Sequence, residues 1–325
     1  MAMNIFLDTA EIDEISDVAS QIDGITTNPS LLRKAVEKRR NAGQAIDVPE
    51  YITTLCRTVG LGRSVSLEVI GLTAEEMISQ GRWLYEHFND IAGNVWVKIP
   101  ITTATPDNPD RLCEGLRAIQ TLANEGIPIN TTLIMRPEQA VIAAYLGATV
   151  VSPFAGRIDD MLAQQAGIRD RNKEEYFPAE GLSLPGKGHV TDNGVLSGVH
   201  LVKLIHDAFE DRQVDTGVLA ASLRNTRQVN ECALVGADIA TMPRSVYNRL
   251  NGATTIQRQY VFDESGELVQ LESRLAAIPR DVFSAKNLGE LLRHPKTEEG
   301  VKLFYDDALK VPEYAAFLDA ARVQK

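Results

Sequence analysis

Asn94-Val-Trp-Val-Lys-Ile-Pro100 decides how this chain is read. Val95, Trp96, Val97 and Ile99 have the β-branched and aromatic character of a strand covered on both faces, as in a parallel sheet. Lys98 stands in the middle of that run, and a buried ammonium is costly unless its pKa falls or a carboxylate pairs with it. Working outward, short apolar runs of the same kind recur at Ile5 to Asp8, Gly24 to Asn28 and Val65 to Ile70 before it. After it come Ile127 to Ile134, Thr149 to Phe154, Gly217 to Ser222 and Ile239 to Pro243. Each run is followed by a helical pattern, the alternation that a parallel sheet with crossover helices needs. Eight such units predict an α/β fold, a single (β/α)8 TIM barrel.

The segments between the runs carry helix signals. Ile12, Ile15, Ala19 and Ile22 line one face at helical spacing. Thr73 with Glu76 spells a capping box. Pro137 suits a first helical turn and Gly147 the stop of that helix, while Asn225 and Gly236 bound another. Leu146-Gly-Ala148 and Val235-Gly-Ala237 form a quasi-repeat, each feeding an apolar strand that ends in Pro. Two stretches break the rhythm. Residues 164–197 are polar and rich in Gly and Pro, predicting a long insertion between strand six and its helix, with room for a short helix inside. Residues 252–325 form a C-terminal extension: a surface hairpin over Thr255 to Leu271, then helices. Neither stretch reads as a separate unit, so residues 1–325 are expected to form one domain.

Bulk properties narrow the function. A chain of 325 residues, 44% hydrophobic, can bury one large core. A formal charge of −11 opposes a polyanionic partner, so no nucleic acid is expected. No run approaches the ~20 apolar residues of a membrane span, and the first residues lack the pattern of a secretory signal, which predicts a cytoplasmic protein away from membranes. Cys56, Cys113 and Cys232, odd in number and far apart, read as buried reduced thiols.

Barrel enzymes build their sites at the C-terminal ends of the strands. Asp8 ends strand one, Asn28 strand two, Glu68 lies in strand three, Lys98 in four, Asn130 in five, Ser152 in six and Ser222 in seven. A buried lysine is either a nucleophile toward carbonyls or half of a salt bridge, here to Glu68, and spacing leaves both readings open. Gly181-Leu-Ser-Leu-Pro-Gly-Lys-Gly188 nearly spells a nucleotide-binding loop, but it ends in Gly where Ser or Thr would bind magnesium and it follows no buried strand. His200 and His206 are six apart, outside metal-ligand spacing, so neither metal nor cofactor is expected. The run Glu37 to Arg40 reads as a solvated helix end.

Seven motifs, in order, add a resemblance. Phe6-Leu-Asp-Thr-Ala10, Ile25-Thr-Thr-Asn-Pro-Ser-Leu-Leu32, Ser66-Leu-Glu-Val69, Val97-Lys-Ile-Pro100, Ile129-Asn-Thr-Thr-Leu-Ile134, Ser152-Pro-Phe-Ala-Gly-Arg-Ile-Asp-Asp160 and Leu219-Ala-Ala-Ser-Leu-Arg-Asn225 resemble the transaldolase and fructose-6-phosphate aldolase family. A weaker echo runs from Leu291 to Gly300. The resemblance implies that Lys98 forms a Schiff base, that Glu68 acts with a water in imine formation, and that Asp8 is the acid/base at the sugar hydroxyl. It places Thr26, Asn28, Asn130, Thr132 and Ser152 around the substrate hydroxyls and that water, and Arg157, Ser222 and Arg224 on the phosphate. It also implies sugar-phosphate partners and a homo-oligomer. Phe154 stands where the aldolase branch often carries a Tyr that helps activate water; a phenyl ring cannot move that proton, which favours transfer over hydrolysis. The alternatives are an aldolase, a transaldolase for a modified ketose, or an inactive sugar-phosphate-binding barrel.

Overall fold

Strands β1 (Ala2–Asp8), β2 (Gly24–Thr26), β3 (Ser64–Glu68), β4 (Val95–Pro100), β5 (Ile129–Ile134), β6 (Val150–Pro153), β7 (Gly217–Ala220) and β8 (Ile239–Met242) pair in parallel, each with the next. The β1–β8 pairing, Asn4 with Ile239 through Leu7 with Met242, closes the cylinder. These features come from a computed structural model that describes residues 2–169, 172, 174–184, 188–250, 256–257, 278 and 281–322. The expected (β/α)8 barrel is therefore what the chain forms.

The helices are α1 (Ile12–Ser16), α2 (Pro29–Asn41), α3 (Val48–Val59), α4 (Ala74–Ala92), α5 (Glu114–Asn124), α6 (Pro137–Tyr145), α7 (Ala155–Gln165), α8 (Gly198–Arg212), α9 (Thr226–Leu234), α10 (Arg244–Tyr247), α11 (Ala285–Leu292), α12 (Pro295–Leu309) and α13 (Pro312–Asp319). Local chemistry sets their ends. Thr73 Oγ1 accepts from Glu76 N, while the Glu76 carboxylate accepts from Thr73 N, so both arms of the capping box are made. Gly147 and Gly236 follow α6 and α9 with φ of +92° and +109°, a backbone that favours glycine, and so turn both helices into β6 and β8. That shared stop is the physical content of the quasi-repeat.

Five expectations are corrected. The Ile12 to Ile22 pattern is not one helix: α1 ends at Ser16, buried Val18 takes a non-helical backbone (φ −132°, ψ 8°), and a single 3₁₀ turn, Ala19–Gln21, follows. Strand β2 stops at Thr26 because Asn28 caps α2, its Oδ1 accepting from Leu31 N at 2.9 Å. The insertion does not separate strand six from its helix: α7 follows β6 directly, and the insertion lies between α7 and α8. Among its described residues there is no helix, only a two-residue antiparallel ladder of Ser183–Leu184 with Gly188–His189. Cys56 and Cys232 are buried as expected, but Cys113 is half-buried. The hairpin over Thr255 to Leu271 lies outside the described residues except for Ile256–Gln257, which pair antiparallel with Ala2 and Met3.

Among the described residues no helix is long and apolar enough to cross a membrane. Helices α12 and α13 return over the C-terminal mouth of the barrel. Thr297 Oγ1 donates to Leu133 O at 2.9 Å, Ser30 Oγ to Asp307 Oδ2 at 2.6 Å, and Tyr314 OH to Glu68 O at 2.7 Å. Arg33 Nε adds an ion pair to Asp307 at 3.1 Å. At the start of α12, buried His294 pairs with Asp192 of the insertion at 2.7 Å.

Candidate active site

Sheet register gathers the site. Glu68, Lys98 and Asn130 are successive partners across β3, β4 and β5, and Asp8 pairs with Thr26 across β1 and β2. Strand alternation keeps Ser66, Glu68, Lys98, Asn130 and Thr132 on the interior face. Lys98 Nζ lies 2.9 Å from Glu68 Oε2 and donates to Thr27 O at 2.7 Å. Both side chains of the pair are almost fully enclosed, at 4% and 3% exposure, so the charges are screened mainly by each other. Thr26 Oγ1 donates to Asp8 Oδ1 at 2.8 Å and lies 2.6 Å from Thr241 Oγ1. Ser152 Oγ donates to Asn130 Oδ1 at 2.6 Å, and Asn130 Nδ2 to Ser66 Oγ at 3.2 Å.

Burial pushes both carboxyls up. Asp8 and Glu68 sit above the usual carboxylate range because the barrel strips their hydration; Lys98 pulls each back only in part. One lysine side chain thus stands beside Glu68 and acts electrostatically on Asp8 as well.

A cleft of about 250 Å³, at the small end for small-molecule sites, opens above Lys98. Asp8, Thr26, Asn28, Lys98, Ser152, Phe154, Arg157 and Ser222 line it, so eight of the twelve residues singled out in the sequence meet there. The other four do not. Glu68 and Asn130 sit behind Lys98 and Ser152, and Thr132 is buried on β5 with its hydroxyl unpartnered. Arg224 is held by Asp160 at 2.7 Å, outside the lining. Two residues stand off the strands assigned to them: Asn28 is a helix cap, and Ser222, with φ +60°, lies beyond β7.

A third basic side chain in the cleft, beside Lys34 and Lys98, is that of Arg157. No carboxylate or carbonyl accepts from it among the described residues; instead its guanidinium lies over the Phe154 and Phe304 rings at 5.4 and 5.6 Å. Loss of hydration on burial lowers its pKa, with distant Glu299 and Glu68 opposing, and it remains a cation. Gly300 of α12 makes room for it, since a Cβ there would come within 2.8 Å of Arg157 Nη1. Gly156 lets the β7–α9 turn approach in the same way: a Cβ would meet Ser222 O at 2.3 Å.

A family model described as transaldolase/fructose-6-phosphate aldolase matches residues 5–313, which takes in every residue of the cleft. The chain belongs to the transaldolase/fructose-6-phosphate aldolase family. A probable transaldolase of Chlorobium phaeobacteroides is 33% identical over 308 residues, covering 94% of this chain and 97% of that one. Probable transaldolases of Desulforapulum autotrophicum and Thermus thermophilus are 37% and 35% identical over 250 residues, each covering 76% of this chain and 89% and 90% of their own lengths.

This member of the family completes its cleft with residues the sequence reading missed: Ser30, Leu31 and Lys34 from α2, Thr241 from β8, and Leu303 and Phe304 from α12. Thr241 carried a usable signal, a hydroxyl at the end of an apolar strand. Ser30 and Lys34 are four apart on a helix that starts at the site, so they share its face. Leu303 and Phe304 carried none, because only the folding-back of α12 brings them there. No group of three His, Cys, Asp or Glu able to hold a metal occurs among the described residues.

Proposed function

We propose that this chain is a transaldolase that moves a dihydroxyacetone unit from a ketose phosphate, such as fructose 6-phosphate, to an aldose phosphate through a Schiff base on Lys98. The buried Lys98–Glu68 pair at the floor of the cleft, with Asp8 facing it, carries this reading. A lysine passes its proton to a carboxyl already inclined to hold one, and the freed amine attacks the C2 carbonyl. Glu68 returns the proton to the carbinolamine hydroxyl, water leaves, and an iminium stands on Lys98. Asp8 takes the C4 hydroxyl proton, the C3–C4 bond breaks, and the iminium accepts the electron pair as an enamine. The departing aldose phosphate is replaced by the acceptor, whose carbonyl carbon the enamine attacks. Arg157, with Ser222 nearby, holds the phosphate through its planar donors.

Phe154 supports transfer over hydrolysis, since its ring offers no proton to a water at the enamine. The test is product analysis by mass spectrometry with fructose 6-phosphate, with and without an aldose phosphate. New ketose phosphate that depends on the acceptor and vanishes in Lys98→Met supports the reading. Equal release of free dihydroxyacetone without acceptor replaces it with the aldolase reading, and an undiminished Lys98→Met overturns the mechanism.

A further inference from the structure

Glu68 and Lys98 touch, yet they open onto different spaces. Lys98 lines the substrate cleft; Glu68 lines a narrow cavity of about 20 Å³ behind it, with Leu72, Thr103, Val301, Phe304 and Tyr305 among its neighbours. Among the described residues Phe304 alone lines both spaces, and Arg157 packs over its ring. On its far side the narrow cavity shares Leu72, Thr103, Val301 and Tyr305 with a cleft of about 470 Å³ between the loop after β4 and α12, rimmed by Asp107, Glu299 and Lys302.

The narrow cavity has the size and polarity for water. A single water needs ~10–15 Å³ of such space and at least two polar partners. Apart from Lys98 Nζ at 2.9 Å, no donor reaches buried Glu68 Oε2 among the described residues, so it keeps capacity to accept from a water, and Thr103 Oγ1, which donates to Leu72 O at 2.6 Å, keeps its lone pairs to accept from one too. The substrate cleft offers no equal route during turnover. In the Schiff-base reading a ketose phosphate held between Lys98 and Arg157 would occupy that space of about 250 Å³.

We propose that this cavity is a water port for Glu68: water formed at Lys98 leaves, and water that hydrolyses the imine arrives, through the α12 cleft and not through the substrate cleft. The inference rests on the Schiff-base reading above. In imine formation the N–C2 bond forms and the C2–O bond breaks; the oxygen leaves as water with one proton from the lysine amine and one from the Glu68 carboxyl. That water is released on the Glu68 side of the pair. The port's width then sets how freely the released oxygen is exchanged for solvent before the imine reverts.

The measurement is a ratio: loss of a heavy-oxygen label from C2 of fructose 6-phosphate into ordinary water, divided by the rate of borohydride trapping at Lys98. Val301→Phe puts a larger side chain into the wall shared by the two spaces while leaving every residue of the substrate cleft in place. It is expected to lower the ratio several-fold, with trapping at Lys98 retained. A folded Val301→Phe with the wild-type ratio overturns the port. Should Val301→Phe not fold, Leu72→Phe, half-buried on the same shared wall, narrows the port from the opposite side and is held to the same criterion. A wild type that forms no adduct at Lys98 removes the Schiff-base reading itself, and the port with it.

Discussion

Replacing Lys98 by Met keeps most of the side-chain volume and removes the charge that most opposes the rise of Glu68 and Asp8. Glu68 stays 3% exposed with its partner gone. Removing one member of a buried pair costs about 3–5 kcal/mol, because the survivor is left charged and dehydrated. With entropy of unfolding scaling with length, 1 kcal/mol is worth ~1.5 °C in a chain of this size, so Lys98→Met should melt roughly 4–8 °C below wild type at neutral pH. The sign of the pH dependence follows from the raised folded-state pKa of both carboxyls. A raised acid contributes stability that is full below its unfolded value and is lost as pH rises through the folded one. Lys98 is the largest opposing influence on each carboxyl, so without it both folded values climb further and the deficit grows with pH. Melting by calorimetry from about pH 5 to 8 should show the deficit shrinking on acidification, and the Lys98→Met/Glu68→Gln double variant should recover most of it at neutral pH. A Lys98→Met protein that melts with wild type, or whose deficit ignores pH, refutes the coupling.

Other outcomes follow from the same geometry. Arg157→Ala should raise KM for a phosphorylated ketose by ~10–150-fold, the worth of hydrogen bonds to a charged group, and leave the unphosphorylated sugar nearly untouched; steady-state kinetics with the two sugars check this. Gly300→Ala gains about 1 kcal/mol of helix propensity, offset by the push on Leu133 and Arg157, so melting should barely move while KM for the phosphate ester rises. If Asp8 acts as the base, the acid limb of kcat/KM should lie above the ordinary carboxylate range, and Thr26→Val, which removes a hydrogen bond that lowers the Asp8 pKa, should move that limb upward in a pH–rate profile.

The barrel was legible because its strands are short, apolar and separated by helices with marked ends. Polar residues at strand ends then pointed to the mouth, and register did the rest: Lys98 next to Glu68, Asp8 next to Thr26. Strand limits were read too long wherever a polar residue served the following turn. Asn28 belongs to the cap of α2 and Ser222 to a left-handed turn, and neither role shows in apolar periodicity. The insertion was misplaced by one helix because Ala155–Gln165, sparse in strong helix signals at its start, was not separated from the polar stretch after it. What the sequence could not show is long-range. Phe304 and Tyr314 reach the site from the C-terminal helices, Tyr314 through its hydrogen bond to the Glu68 carbonyl 246 residues earlier, and nothing local marks them. The fate of Arg224 was equally hidden, since its partner Asp160 lies on another unit of the barrel.

The central claim is a covalent bond between Lys98 and a ketose carbon, and intact mass after incubation with fructose 6-phosphate and borohydride addresses it directly. The account predicts a mass gain of one reduced sugar fragment, mapped by peptide analysis to the segment holding Lys98 and absent from Lys98→Met. An adduct on another lysine, or none with any ketose phosphate offered, would contradict it.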